Sequence, residues 1–134
     1  MKKSVSVCVI LLLCVLMTGC GGGRISSANI EIGESSVYTE DELDNAVDIV
    51  LDYFSEEFED CYLTELWYDE EYSKARAEEW AKQYEAEQAI VLLSEFYTGP
   101  YGGDGSFIPN ETYENWQWIL VRDGGEWELK TWGY

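Results

Sequence analysis

The run from Tyr38 to Phe58, YTEDELDNAVDIVLDYFSEEF, constrains the fold of this chain more than any other. Thr39 and Glu42 fit the S/T-x-x-E capping box, Tyr38 and Leu43 stand where a hydrophobic staple closes over it, and acidic residues fill the first turn. Leu43, Val47, Val50, Phe54 and Phe58 recur at spacings of three and four, which predicts one apolar stripe on a helix over residues 40–59. Such a stripe has to be buried against a second layer. The opposite face is rich in carboxylates and reads as solvated.

Downstream, CYLTELWY (61–68) mixes β-branched, aromatic and aliphatic residues and reads as a strand. A second helix is expected over 74–85, capped by Ser73, with Ala77, Trp80, Ala81 and Tyr84 on one face and Glu78 four residues before Lys82. QAIVLLSEF (88–96) is apolar on both alternating faces at its centre, as in an interior strand. WQWILVR and EWELKTW flank Asp123-Gly124-Gly125, a turn signal, and form a closing hairpin. The fold class expected is α+β: a long N-terminal amphipathic helix packed on a curved, mostly antiparallel sheet of about four strands, with a second short helix. Residues 98–114 hold both prolines of the chain and form its longest irregular stretch. Loops of that length in compact domains tend to be functional or mobile.

The chain begins with Lys2 and Lys3 and an unbroken apolar run from Val7 to Met17. As a helix that run would reach only about 17 Å, against a bilayer core of roughly 30 Å. It reads as an export signal rather than a span. Its end, Leu16-Met17-Thr18-Gly19-Cys20, resembles the lipobox of bacterial lipoproteins, which implies cleavage before Cys20 and a diacylglycerol on its sulfur. The domain boundaries expected are therefore 1–19 for the signal peptide, 20–36 for the lipidated Cys20 and a flexible tether, and 37–134 for a single domain. The nine residues Gly21 to Asn29 would give such a tether a reach on the order of 16 Å. The location implied is the extracytoplasmic face of the cell membrane.

Of the 4 cysteines, Cys8 and Cys14 leave with the signal and Cys20 carries lipid. Cys61 alone remains, so neither an intramolecular disulfide nor a cysteine zinc cluster is available and the core has to hold the domain. The 6 Trp, 10 Tyr and 4 Phe all lie beyond the signal and make that core aromatic. The formal net charge is −19, and loss of Lys2 and Lys3 makes it more negative. Nucleic acid is thereby excluded as a partner, since affinity for phosphate comes from clustered Lys and Arg. An unknown protein, peptide or small-molecule ligand is permitted, with cationic ones favoured by the field.

There is no histidine, which removes Ser-His and Cys-His nucleophile systems and histidine metal sites. No phosphate loop or dinucleotide glycine motif is present. The chain is read as non-catalytic and without a cofactor. Calcium is the alternative weighed: Asp104, Ser106, Asn110 and Glu111 offer hard oxygen atoms in one Gly-rich loop, without the spacing of an EF-hand. A turn built from small polar residues accounts for the same letters. For ligand binding the candidates are Tyr101, Trp116, Trp118 and Trp132, which could line a pocket or platform or simply fill the core.

Taken together, YTEDELDNAVDIV, LTELWYDEE, AIVLLSEF, GGDGSFIPN and NWQWILVRDGGEWELKTWGY resemble a group of small lipoproteins and secreted proteins of Gram-positive gut bacteria that share a domain of unknown function. The likeness runs from about Tyr38 to Tyr134, and Trp127-x-Leu129-x-x-Trp132-Gly133-Tyr134 is its most recognisable part. A curved sheet on a leading helix is similar to cystatin-like and nuclear-transport-factor-2-like architectures. That resemblance implies a possible cone-shaped pocket, with or without weak carboxylate chemistry, as the alternative to a binding or interaction module.

Overall fold

A computed structural model describes residues 22–134. The expected signal peptide (residues 1–19) and Cys20 lie outside the described residues. The elements are β1 (Asn29–Glu31), α1 (Glu40–Glu57), β2 (Cys61–Trp67), α2 (Glu70–Gln83), β3 (Gln88–Thr98), β4 (Thr112–Arg122) and β5 (Glu128–Gly133). The five strands form one open sheet in the order β1-β2-β3-β4-β5. β1 runs parallel to β2, and the other three pairings are antiparallel.

The α+β class holds, and two details of the expectation are corrected. The sheet has five strands rather than four, and the long helix is not the leading element, because β1 precedes it. Periodicity could not show β1: its three residues are all exposed, and it exists by pairing Asn29, Ile30 and Glu31 with Glu65, Leu66 and Trp67 at the edge of β2.

α1 starts as its residues dictate. Glu42 N–H donates to Thr39 Oγ1 at 3.2 Å and Thr39 N–H donates to Glu42 Oε1 at 2.9 Å, closing both halves of the capping box. Arg122 of β4 pairs with the same Glu42 carboxylate and lies 4.2 Å over the Trp127 ring. Leu43, Ala46, Val47, Val50 and Phe54 are buried against Leu63, Leu66, Ile90, Leu92, Phe96, Trp118 and Leu120 of the sheet. The space in which the sequence allowed a cone-shaped pocket is occupied by these side chains.

α2 begins four residues before the expected start. Asp69 is its N-cap, accepting from Tyr72 N–H at 3.1 Å, so Ser73 is inside the helix rather than at its end. Buried there, the Ser73 hydroxyl accepts the Val91 N–H at 3.0 Å. That N–H lies beyond Leu93, the last β3 residue paired with β2, and needs a partner from elsewhere.

The expected tether over 20–36 is also different in form from Gly22 onward. Arg24 bridges to Tyr62 in parallel fashion, its N–H donating to Cys61 O at 2.9 Å and its carbonyl accepting from Leu63 N–H at 2.8 Å. Ile25, Ala28 and Ile32 pack on the core. Residues 22–32 belong to the folded body.

Candidate ligand-binding cleft

The loop between β3 and β4 is built rather than loose. Thr98 closes its base: the hydroxyl donates to Ile108 O at 2.6 Å and accepts from Glu111 N–H at 3.0 Å. Asp60, at the turn between α1 and β2, accepts from Tyr101 N–H at 2.8 Å through its side chain and from Gly99 N–H at 2.8 Å through its carbonyl. Gly102 and Gly103 follow at φ +65° and +67°, a left-handed pair that glycine adopts without penalty. They turn Phe107 back onto the core, its ring 5.9 Å from Phe58 and 5.6 Å from Phe96.

This loop, the last turns of α1 and the end of β5 enclose a cleft of about 220 Å³. Rings of Tyr53, Phe58, Phe107 and Trp132 line it together with Ser106. Tyr53 and Trp132 lie ring to ring at 4.6 Å with a tilt of 45°. Three carboxylates, Glu57, Glu59 and Asp104, complete the lining, and all three residues are exposed. Among the described residues no Lys or Arg lines it.

Asp104 Oδ1 accepts from both the Ser106 hydroxyl, at 2.6 Å, and the Ser106 N–H, at 3.0 Å. These bonds hold its carboxyl below the usual carboxylate range and keep it ionised. Burial, with the Glu57 charge second, pushes the Tyr53 phenol up, so it stays a neutral hydroxyl. The cleft is thus an aromatic surface with one sign of charge.

Larger grooves exist, each with at most two aromatic rings in its lining. One of about 370 Å³ between α2 and the start of β3 is floored by Ala77, Ala81, Ala86 and Ala89. Another, of about 470 Å³, lies beside the start of α1 over the 32–35 loop. A third, of about 290 Å³, lies between Arg24 and the stacked Tyr62 and Tyr97.

The structure separates the aromatic candidates. Trp118 is fully buried and donates its indole N–H to Ser94 Oγ at 2.7 Å. Trp116 sits edge-on to Phe96 at 5.3 Å, and its buried indole N–H meets no acceptor among the described residues. Tyr101 is 78% exposed and does not line the cleft. Trp132, 37% exposed, does.

The calcium set separates too. Asp104 and Ser106 are joined in the cleft, whereas Asn110 N–H donates to Gly99 O at 3.0 Å and Glu111 pairs with Thr98 at the base of the loop. Among the described residues no three Asp, Glu or Cys side chains are grouped as a metal ion requires. Cys61 is fully buried, and its thiol is pushed up to about 12, by burial first and then by the charges of Asp60 and Asp104. It fills space and offers no thiolate.

Tyr53, Glu57, Glu59 and Phe107 were not singled out from the sequence. Tyr53 and Glu57 stand four apart on α1, beside the apolar stripe, so a ring just off a buried face was the available signal. No family model, curated protein or solved structure matches the chain.

Proposed function

We propose that this chain is a lipid-anchored, extracytoplasmic, non-catalytic binding module, and that the cleft at the end of α1 receives a cationic group. The observation that carries the reading is the coincidence of four aromatic rings with three carboxylates in a cleft that, among the described residues, no Lys or Arg lines. Ring faces attract cations through their quadrupoles, and the carboxylates add a field of the right sign. The location rests on the lipobox at residues 16–20, and the open sheet on α1 supports a cystatin-like layering.

Magnitudes limit what such a cleft holds. A cation over a partly exposed ring gains about 0.5–1 kcal/mol, and an exposed ion pair contributes about 0–1 kcal/mol. A few such contacts stay at or below the roughly 4 kcal/mol of a millimolar dissociation constant. A single ammonium is therefore held weakly, and a useful affinity requires a ligand with several cationic or apolar points, such as a basic peptide.

The test is titration of the full-length protein with lysine amide, tetramethylammonium and a short oligolysine, read by tryptophan emission. Saturable shifts with cations, strongest for oligolysine and lost in Trp132→Ala, are expected. A response no larger than that to sodium chloride at equal ionic strength overturns the reading.

A further inference from the structure

Two glycines at the start of the described chain stand where no side chain fits. Gly23 donates its N–H to Phe54 O at 3.2 Å. A Cβ on Gly23 would lie 2.4 Å from that oxygen and 2.7 Å from the Phe54 ring. On Gly22 it would lie 1.6 Å from Ser55 O. The obstacles are helix backbone and a fully buried ring, neither of which swings aside. Arg24 then continues onto β2 through its two backbone bonds with Cys61 and Leu63. The Gly-Gly step is a close-packed seam between the chain and the end of α1, where a flexible linker was expected.

Only two peptide steps separate Gly22 from Cys20, a reach of at most about 7 Å. A linker beginning at Cys20 and running free to residue 36 would let the domain tumble above a bilayer; a docked seam would not. We infer that the seam makes the C-terminal end of α1 the membrane-facing end of the domain, so that a lipid on Cys20 holds this end against the bilayer surface. The inference rests on the reading of Cys20 as lipidated. The Thr39 end of the 18-residue helix then stands farther out, by at most the helix length of about 27 Å. Glu57, Phe58 and Glu59 of the cleft belong to the same end of α1 as Ser55, which puts the cleft beside the bilayer. Its ligand is one met at the membrane surface.

The experiment uses full-length protein purified from bacterial membranes and reconstituted into phosphatidylcholine vesicles containing a lipid with a nitroxide on its headgroup. A fluorophore is attached through Glu56→Cys in one sample and Asp41→Cys in another, both exposed positions on α1, about 22 Å apart along its axis. Cys61 is fully buried and out of reach of the label. Mass spectrometry reports lipid on Cys20 in each sample. Quenching at position 56 several-fold that at 41 is expected, and Gly22→Val with Gly23→Val should bring the two together by undocking the seam. Lipid on Cys20 with equal quenching at both positions overturns the orientation alone. A Cys20 without lipid overturns the anchor and the orientation with it.

Discussion

The carboxylate of Asp60 and the α-carbon of Gly99 are packed so closely that a methyl group on Gly99 would lie 2.0 Å from Asp60 Oδ1. The same carboxylate accepts the Tyr101 N–H, so one side chain both requires a glycine and positions the loop beyond it. Gly99→Ala is expected to destabilise by about 1–3 kcal/mol through overpacking. In an Asp60→Gly background, which suits the φ of +57° at position 60 and removes the carboxylate, the same change should cost less. Urea midpoints of the four proteins measure the coupling; equal costs in both backgrounds refute it.

Ser94 carries a buried two-way bond. Its hydroxyl donates to Trp116 O at 3.0 Å and accepts the Trp118 indole N–H at 2.7 Å. Ser94→Ala leaves the buried Trp118 indole N–H without its acceptor and should cost about 1–3 kcal/mol. Trp118→Phe should then cost less in the Ser94→Ala protein than in the wild type, because the orphaned donor has been removed.

Trp118 of β4 and Trp132 of β5 differ in burial and should differ in effect. Trp118→Ala empties a fully buried site and is expected to cost about 3–5 kcal/mol. Trp132→Ala, at a ring 37% exposed, should cost markedly less in thermal or urea unfolding while removing the response to cations. Loss of the response only in proteins that also unfold would remove Trp132 from the cleft's function.

Stability should fall at both ends of the pH scale. The Glu42 carboxyl is held low, first by the Thr39 backbone N–H and then by Arg122, and Glu70 is held low, first by the Ser35 hydroxyl. Depressed carboxyls contribute stability that is present above their unfolded values, near 4.5, and lost as pH falls through the folded ones. Burial pushes the Cys61 thiol and the Tyr68 phenol each up to about 12, from 9.0 and 10.0. Raised groups of this kind contribute fully below the unfolded value, and the contribution is lost as pH rises toward the folded one. Melting temperature is expected to hold a plateau that ends in acid near pH 4.5 and in alkali from pH 9.0 upward. Glu42→Gln should flatten the acid limb, and Cys61→Ala should delay the alkaline one.

What was legible in the sequence was local. The cap at Thr39, the stripe from Leu43 to Phe58 and the Asp123-Gly124-Gly125 turn each act within a few residues, and the structure has them where periodicity puts them. The cap of α2 was misplaced because Asp69 and Ser73 are both good caps, and only the need of Val91 N–H for a partner decides between them.

By itself the sequence determined an acidic chain with an aromatic core, one cysteine beyond Cys20, no histidine and an α+β order of elements, because composition and short-range periodicity need no partner to be read. Tertiary structure alone decided that residues 29–31 add a fifth strand, that Gly22 and Gly23 form a seam, and that Tyr53, Phe107, Asp104 and Trp132 meet in one cleft. Those four lie on three segments far apart in the chain. Their meeting follows from how α1, the loop and β5 pack together, a non-local outcome of filling one core at close-packed density.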